Sequence, residues 1–281
     1  MAPQLTFEDF DICIPIERNT TTETLPTTIE IKKTESDHKA TYASLSKIKK
    51  EFASTLRDLS HSRHQWEIWQ DFVEMSAISL RQPFDFQQDR EDKYLSIASK
   101  YNEKDIHRIP ELLGLTIGAL TIGNNDFLGQ MFMELELSNK WQGQFFTPYP
   151  ICTFMAKVLV DKSLCEQKEE IKLCEPCVGS GAMIMAFCEA LREIGVNYQQ
   201  KLYVHAQDIS FVPVCMTYIQ LSLIGCRAQV VHGDSLVNKT YDTWYTPFMY
   251  MSTKQTKKEP YSLQELQVNT ICNNTEGTIE T

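Results

Sequence analysis

The chain has 281 residues, 42% hydrophobic and 23% charged, an ordinary globular composition with apolar surface for one large domain or two small ones. Its 27 Lys+Arg against 37 Asp+Glu give a formal net charge of −10, which counts against a protein that grips DNA unaided, because phosphate neutralisation needs a basic face. No apolar run is long enough to span a membrane, and the first residues lack the basic and apolar regions of a signal peptide, so a cytoplasmic chain is expected.

Residues 1–41 are Thr-rich, mixed in charge and without sustained periodicity. They are predicted as a flexible tail, in which 28–31 is able to pair as a short edge strand. From residue 42 the pattern is helical. In 42–59, Leu45, Ile48, Phe52 and Leu56 recur at steps of three and four, beside a solvated face with Lys47, Lys49 and Lys50. A second helix, 64–81, carries Trp66, Trp69, Phe72, Val73, Ser76, Ala77 and Leu80 on one face and stops at Pro83. Two tryptophans at that spacing read as core packing in preference to a base-stacking surface. A charged helix over 87–101 turns Tyr94, Ile97 and Ala98 inward, and an apolar helix over 109–122 stops at Gly123. An amphipathic helix over 126–135 completes a predicted helical domain of residues 42–138.

The next domain, 139–250, opens with a loop at 143–148. Pro148 and Pro150 stand where a helix can begin, since a first-turn proline sacrifices no hydrogen bond. The helix that follows shows Ile151, Phe154, Met155, Val158 and Leu159 on one face, and a polar connection leads on. Then comes 172–181, K-L-C-E-P-C-V-G-S-G: a short strand, an acid, a tight turn, and a helix stopped by Gly195. Glycine tolerates positive φ and lets a ligand approach the backbone, and a carboxylate at a strand end receives an ammonium or a ribose hydroxyl. Strand 201–206 ends in Gln207-Asp208-Ile209, helix 211–224 stops at Gly225, and strand 228–231 ends in His232-Gly233-Asp234-Ser235. This β-α-β-α-β series with polar strand ends predicts a parallel, doubly wound sheet that binds a nucleoside-containing cofactor outside its carboxyl ends.

The nine cysteines, odd in number and mostly within apolar stretches, fit reduced thiols. Cys174 and Cys177 form a C-x-x-C without the second pair a zinc site wants, so strand-end packing is expected and no metal. Residues 251–281 are predicted as a polar C-terminal tail.

Five stretches, taken in order, carry a resemblance: Asp126-x-Leu128-Gly129, Gly143-Gln144-Phe145-Phe146-Thr147-Pro148, Glu175-Pro176-Cys177-Val178-Gly179-Ser180-Gly181, Gln207-Asp208-Ile209 and Gly233-Asp234-Ser235-Leu236. Together they resemble the amino-N6-adenine DNA methyltransferases, and among these the modification subunit of type I restriction systems. The resemblance implies a Rossmann-like α/β methyltransferase fold and a site for S-adenosylmethionine. Phe146, Thr147 and Pro148 would meet the methionine end. Glu175, Pro176, Gly179 and Gly181 would hold the amino-acid and ribose portion. Asp208 would take the ribose hydroxyls, Ile209 would line the adenine pocket, and Asp234 would accept from the adenine amino group. Helix capping is the other reading of Asp208 and Asp234, since caps favour aspartate for independent reasons.

After its fourth strand the family carries an acidic or amide residue, two prolines and an aromatic, which hold the flipped base. Here Tyr245, Thr246, Pro247 and Phe248 stand at that distance. Pro247 and Phe248 match the last two positions, while Tyr245 and Thr246 replace the amide and the first proline. The residues beyond Phe248 show little strand pattern, so the resemblance implies the helical domain plus the cofactor-binding half of the fold, with an oligomer able to complete the sheet. It further implies methyl transfer to adenine N6 in DNA, reached through a specificity-type partner subunit. The alternative is a degenerate relative that binds cofactor or a restriction-modification subunit and regulates or blocks it.

Overall fold

The computed structural model describes residues 35–60, 63–123, 125–137 and 146–251, with side chains from residue 43 onward. The 28–31 strand, Gly143, Gln144 and Phe145, and all but the first residue of the C-terminal tail lie outside the described residues.

Six helices come first: α1 (Glu35–Leu59), α2 (Gln65–Arg81), α3 (Gln88–Ala98), α4 (Glu103–Ile106), α5 (Arg108–Ile122) and α6 (Phe127–Glu134). α1 begins inside the stretch expected as tail. His64 caps α2, its Nδ1 accepting from Trp66 N at 3.2 Å, and Asp126 caps α6. Packing confirms the stripes read from spacing. Phe52, Trp69, Phe72, Phe127 and Phe132 are buried and meet edge to face at 5.4–6.1 Å.

The second part runs α7 (Tyr149–Leu159), α8 (Lys162–Gln167), β1 (Ile171–Glu175), α9 (Ala182–Glu193), α10 (Tyr198–Lys201), β2 (Leu202–Asp208), α11 (Phe211–Leu223), β3 (Arg227–Asp234), β4 (Lys239–Tyr245) and α12 (Pro247–Met251). The sheet order is β1-β2-β3-β4, with β1, β2 and β3 parallel. Glu175, Asp208 and Asp234 are the last residues of those three strands and so share one end of the sheet. α11 joins the two parts. Its Val214, Cys215, Tyr218 and Ile219 are fully buried, and it packs against both α2 and the sheet.

The three strands read from the sequence are parallel as expected, and two features lie outside that reading. β4 returns antiparallel to β3, with Gln229 opposite Tyr245 and Asp234 opposite Lys239. Only residues 235–238 join the two strands, and a parallel return needs a crossover of a dozen or more residues. Asn238, at φ 52°, completes this turn. The second feature concerns α7. Its apolar stripe (Ile151, Phe154, Met155, Val158, Leu159) is 45–69% exposed, whereas Cys152 and Ala156 are fully buried and the helix packs on α9. Small residues at i and i+4 let the two helices approach closely, which turns the larger side chains outward.

Arg81 of α2 ties the helical layer to the hairpin. Its guanidinium donates to Asp85 at 2.9 Å and to Thr243 O at 3.0 Å, and lies 4.6 Å from the centre of the Trp244 ring.

Candidate cofactor site

β1 ends at Glu175, and the chain then turns through Pro176, Cys177, Val178, Gly179, Ser180 and Gly181 into α9. Gly179 has φ 58° and Gly181 φ 94°. A Cβ on Gly179 would also stand 3.0 Å from the Phe146 ring, so glycine is required there by conformation and by space. Five hydrogen bonds from outside hold the turn. Val178 N donates to Gln207 O (2.9 Å), and Gly179 N to Asp208 Oδ2 (2.9 Å). Thr217 Oγ1 donates to Gly179 O (2.9 Å), Ser180 Oγ to Asp126 Oδ2 (2.7 Å), and Gln220 Nε2 to Ser180 O (2.8 Å).

The strand-end carboxylates surround this turn. Besides the Gly179 amide, Asp208 accepts from Ser210 N through Oδ1 at 2.9 Å. Asp234 Oδ1 accepts from Leu236 N (2.9 Å) and Val237 N (3.3 Å), and Glu175 Oε1 from Cys177 N (3.3 Å). Neither aspartate caps a helix: Ser210 is the N-cap of α11 and has no side-chain cap bond, and the bonds of Asp234 lie in the turn that leads into β4. Asp234 and Glu175 each use one oxygen in these bonds. Burial, reinforced by neighbouring Asp208, pushes the Glu175 carboxyl above the usual glutamate range, while the Cys177 amide pulls it down.

A cleft of ≈ 530 Å³ opens here. Phe146, Thr147, Glu175, Pro176, Gly179, Asp208, Ile209 and Asp234, all expected at a cofactor site, line it together. Pro148 and Gly181 do not. They cap the N-termini of α7 and α9. The lining also includes Cys177, Ser235 and Leu236, which lie inside the quoted stretches but were given no role at the site, and Met183 and Pro213, which carried no local signal. Cys174 is half-buried and Cys177 is exposed, so the expected strand-end packing holds for the first alone. Among the described residues no His, Cys, Asp and Glu cluster is suited to a metal, and no helix is long and apolar enough to cross a membrane.

The four residues read as catalytic lie elsewhere. Tyr245 pairs with Gln229 at the amino end of β3. Thr246 is fully buried, its hydroxyl donating to Cys226 O (2.7 Å) and accepting from Ala228 N (3.0 Å). Pro247 starts α12, and the Phe248 ring fills the space where Gly225 would carry a Cβ, 2.8 Å away. From Ala228 to Asp234 the strand rises about 20 Å, so these four sit at the end of the sheet remote from the cleft. The antiparallel return of β4 is the cause.

An open, mostly parallel sheet with a glycine turn after β1 and an acid at the end of each parallel strand defines a Rossmann-like α/β domain. The N-6 DNA Methylase family model matches residues 125–272, just over half of the chain, and the chain belongs to that family. Two solved structures are similar. A class I S-adenosylmethionine-dependent methyltransferase from Listeria monocytogenes is 11% identical, with TM-score 0.37 over 66% of this chain and 52% of the other. The type I restriction-modification system methyltransferase subunit from Streptococcus thermophilus is 12% identical, with TM-score 0.32 over 66% and 56%. The chain thus spans about half the length of these two structures. No curated protein matches it.

Proposed function

We propose that this chain binds S-adenosylmethionine in the strand-end cleft and serves methyl transfer to adenine N6 of DNA, in a restriction-modification-type system whose specificity-type subunit reads the DNA. The observation that carries the reading is the convergence of Glu175, Asp208 and Asp234 on a positive-φ glycine turn. No Lys or Arg is among the cleft's described lining residues, so its electrostatics favour a ligand bearing positive charge and hydroxyls. S-adenosylmethionine fits this donor set, and when bound it supplies a sulfonium methyl activated toward an amine.

The chain's own contribution is to hold and orient. Phe146 and Thr147 meet the methionine end, Glu175 and Gly179 the amino-acid and ribose portion, and Asp208 the ribose hydroxyls. Asp234 accepts from the adenine amino group. Ile209 and Leu236, 61% and 94% exposed at the cleft, offer apolar surface to the purine. Fixing the methyl in line with its acceptor supplies most of the rate in such a transfer. With a net charge of −10, the chain leaves most phosphate contact to the partner subunit.

Incubation with labelled S-adenosylmethionine and adenine-containing duplex DNA tests the reading. Label enters DNA with the wild type and is lost with Asp234→Ala. The remoteness of Tyr245–Phe248 from the cleft favours a second reading, a chain that binds cofactor and a restriction-modification subunit without turnover. Saturable cofactor binding with label at background selects it.

A further inference from the structure

Asp126, between α5 and α6, is 2% exposed, and Gln220 of α11 is fully buried. Asp126 Oδ2 accepts from Ser180 Oγ at 2.7 Å, and Oδ1 accepts from Gly129 N (3.0 Å) and from Gln220 Nε2 (2.8 Å). The same Gln220 Nε2 donates to Ser180 O (2.8 Å), while Gln220 Oε1 accepts from Leu128 N (3.0 Å). Ser180, the middle residue of the glycine turn, is therefore gripped by both its hydroxyl and its carbonyl. Gly129 explains how α6 comes so near. A Cβ there would stand 2.0 Å from Asp126 Oδ2 and 2.4 Å from Ser180 Oγ, so only glycine lets the first turn of α6 lie against the cofactor turn.

We propose that Asp126 is a positioning residue: through Ser180 and Gln220 it transmits the docking of the helical layer to the turn that receives the cofactor. The inference rests on the reading of the cleft as an S-adenosylmethionine site. All the groups in this knot are buried, and a buried group deprived of its partner bears its full desolvation penalty. Alanine at 126 leaves the Ser180 hydroxyl, the Gly129 amide and one Gln220 proton without their acceptor, and the turn loosens. Burial drives the Asp126 carboxyl above the usual aspartate range, toward the neutral acid. Asparagine reproduces that pattern. Its oxygen takes the Oδ1 bonds, and its NH₂ donates to a Ser180 hydroxyl rotated to accept.

Amide hydrogen exchange of the full chain, read peptide by peptide, tests this beside calorimetric titration with S-adenosylmethionine. In Asp126→Ala, exchange over 176–182 rises about tenfold or more and the Kd weakens by a similar factor, while β2 and β3 stay protected. Asp126→Asn restores both to near wild type. Ser180→Ala, which removes only the hydroxyl bond, speeds exchange in the same peptide. Wild-type protection of 176–182 in both alanine variants overturns the proposal, as does Asp126→Asn behaving like Asp126→Ala. If Asp126→Ala unfolds as a whole, Ser180→Ala decides alone. A wild type that takes up no cofactor defeats the reading of the cleft, and the exchange contrast still judges the role of Asp126.

Discussion

Glu175 stands at a strand end with its carboxyl half sunk in protein. Its pKa is raised by burial and by Asp208 and lowered by the Cys177 amide, with a net upward shift. A group whose folded pKa exceeds its unfolded one gives stability at low pH that is lost as the pH rises through the folded value. At neutral pH the ligand-free chain therefore carries an unfavourable ionised carboxylate, which a bound cation relieves. Glu175→Gln is expected to raise Tm relative to the wild type at about pH 8, with the advantage shrinking toward about pH 4, where both side chains are neutral. The same substitution weakens cofactor binding at neutral pH. Thermal unfolding at both pH values checks the sign, and an equal shift at each contradicts it.

The Glu175, Asp208 and Asp234 trio was legible from sequence because each acid stands at or just past the end of an alternating or apolar run. Asp126 was legible only as part of a motif. Its partners Ser180 and Gln220 lie 54 and 94 residues away, a separation that no local pattern reports.

Among the elements, the β3–β4 hairpin decides what Tyr245–Phe248 can do. Thr246 holds α12 to the start of β3 through its buried hydroxyl. Thr246→Val should destabilise the chain by about 1–3 kcal/mol in urea titration while leaving the cofactor Kd unchanged. A large loss of affinity at unchanged stability would argue that Tyr245–Phe248 do reach the cleft. The short 235–238 link forbids a parallel return, but this could be read only once the end of β3 was known.

α7 makes a related point. Its periodicity identified a helix and an apolar face, yet periodicity cannot say which neighbour that face meets. Cys152 and Ala156 meet α9, and Phe154 and Val158 are each 69% exposed. Phe154→Glu with Val158→Glu is expected to change stability by no more than about 0.5 kcal/mol per site and to lower binding of an apolar dye. A cooperative loss of structure would show that the stripe is packed after all.

For the whole molecule, the helical run up to residue 135 and the β-α-β series from residue 171 were both legible in the spacing of apolar residues. The joint between them was not, because α11 reads as an ordinary crossover helix although it packs on both layers. The Asp126–Gln220–Ser180 knot and the Arg81–Trp244 contact make the helical layer part of the site's support.

The central claim is that the cleft at the carboxyl ends of β1, β2 and β3 takes S-adenosylmethionine. Calorimetric titration of the full chain, run beside Gly179→Trp, tests it most directly. A tryptophan at that positive-φ position drives its ring into the space held by Phe146. The wild type is expected to show saturable one-to-one binding and the variant none. No heat from a folded wild type, or equal heat from both proteins, would contradict it.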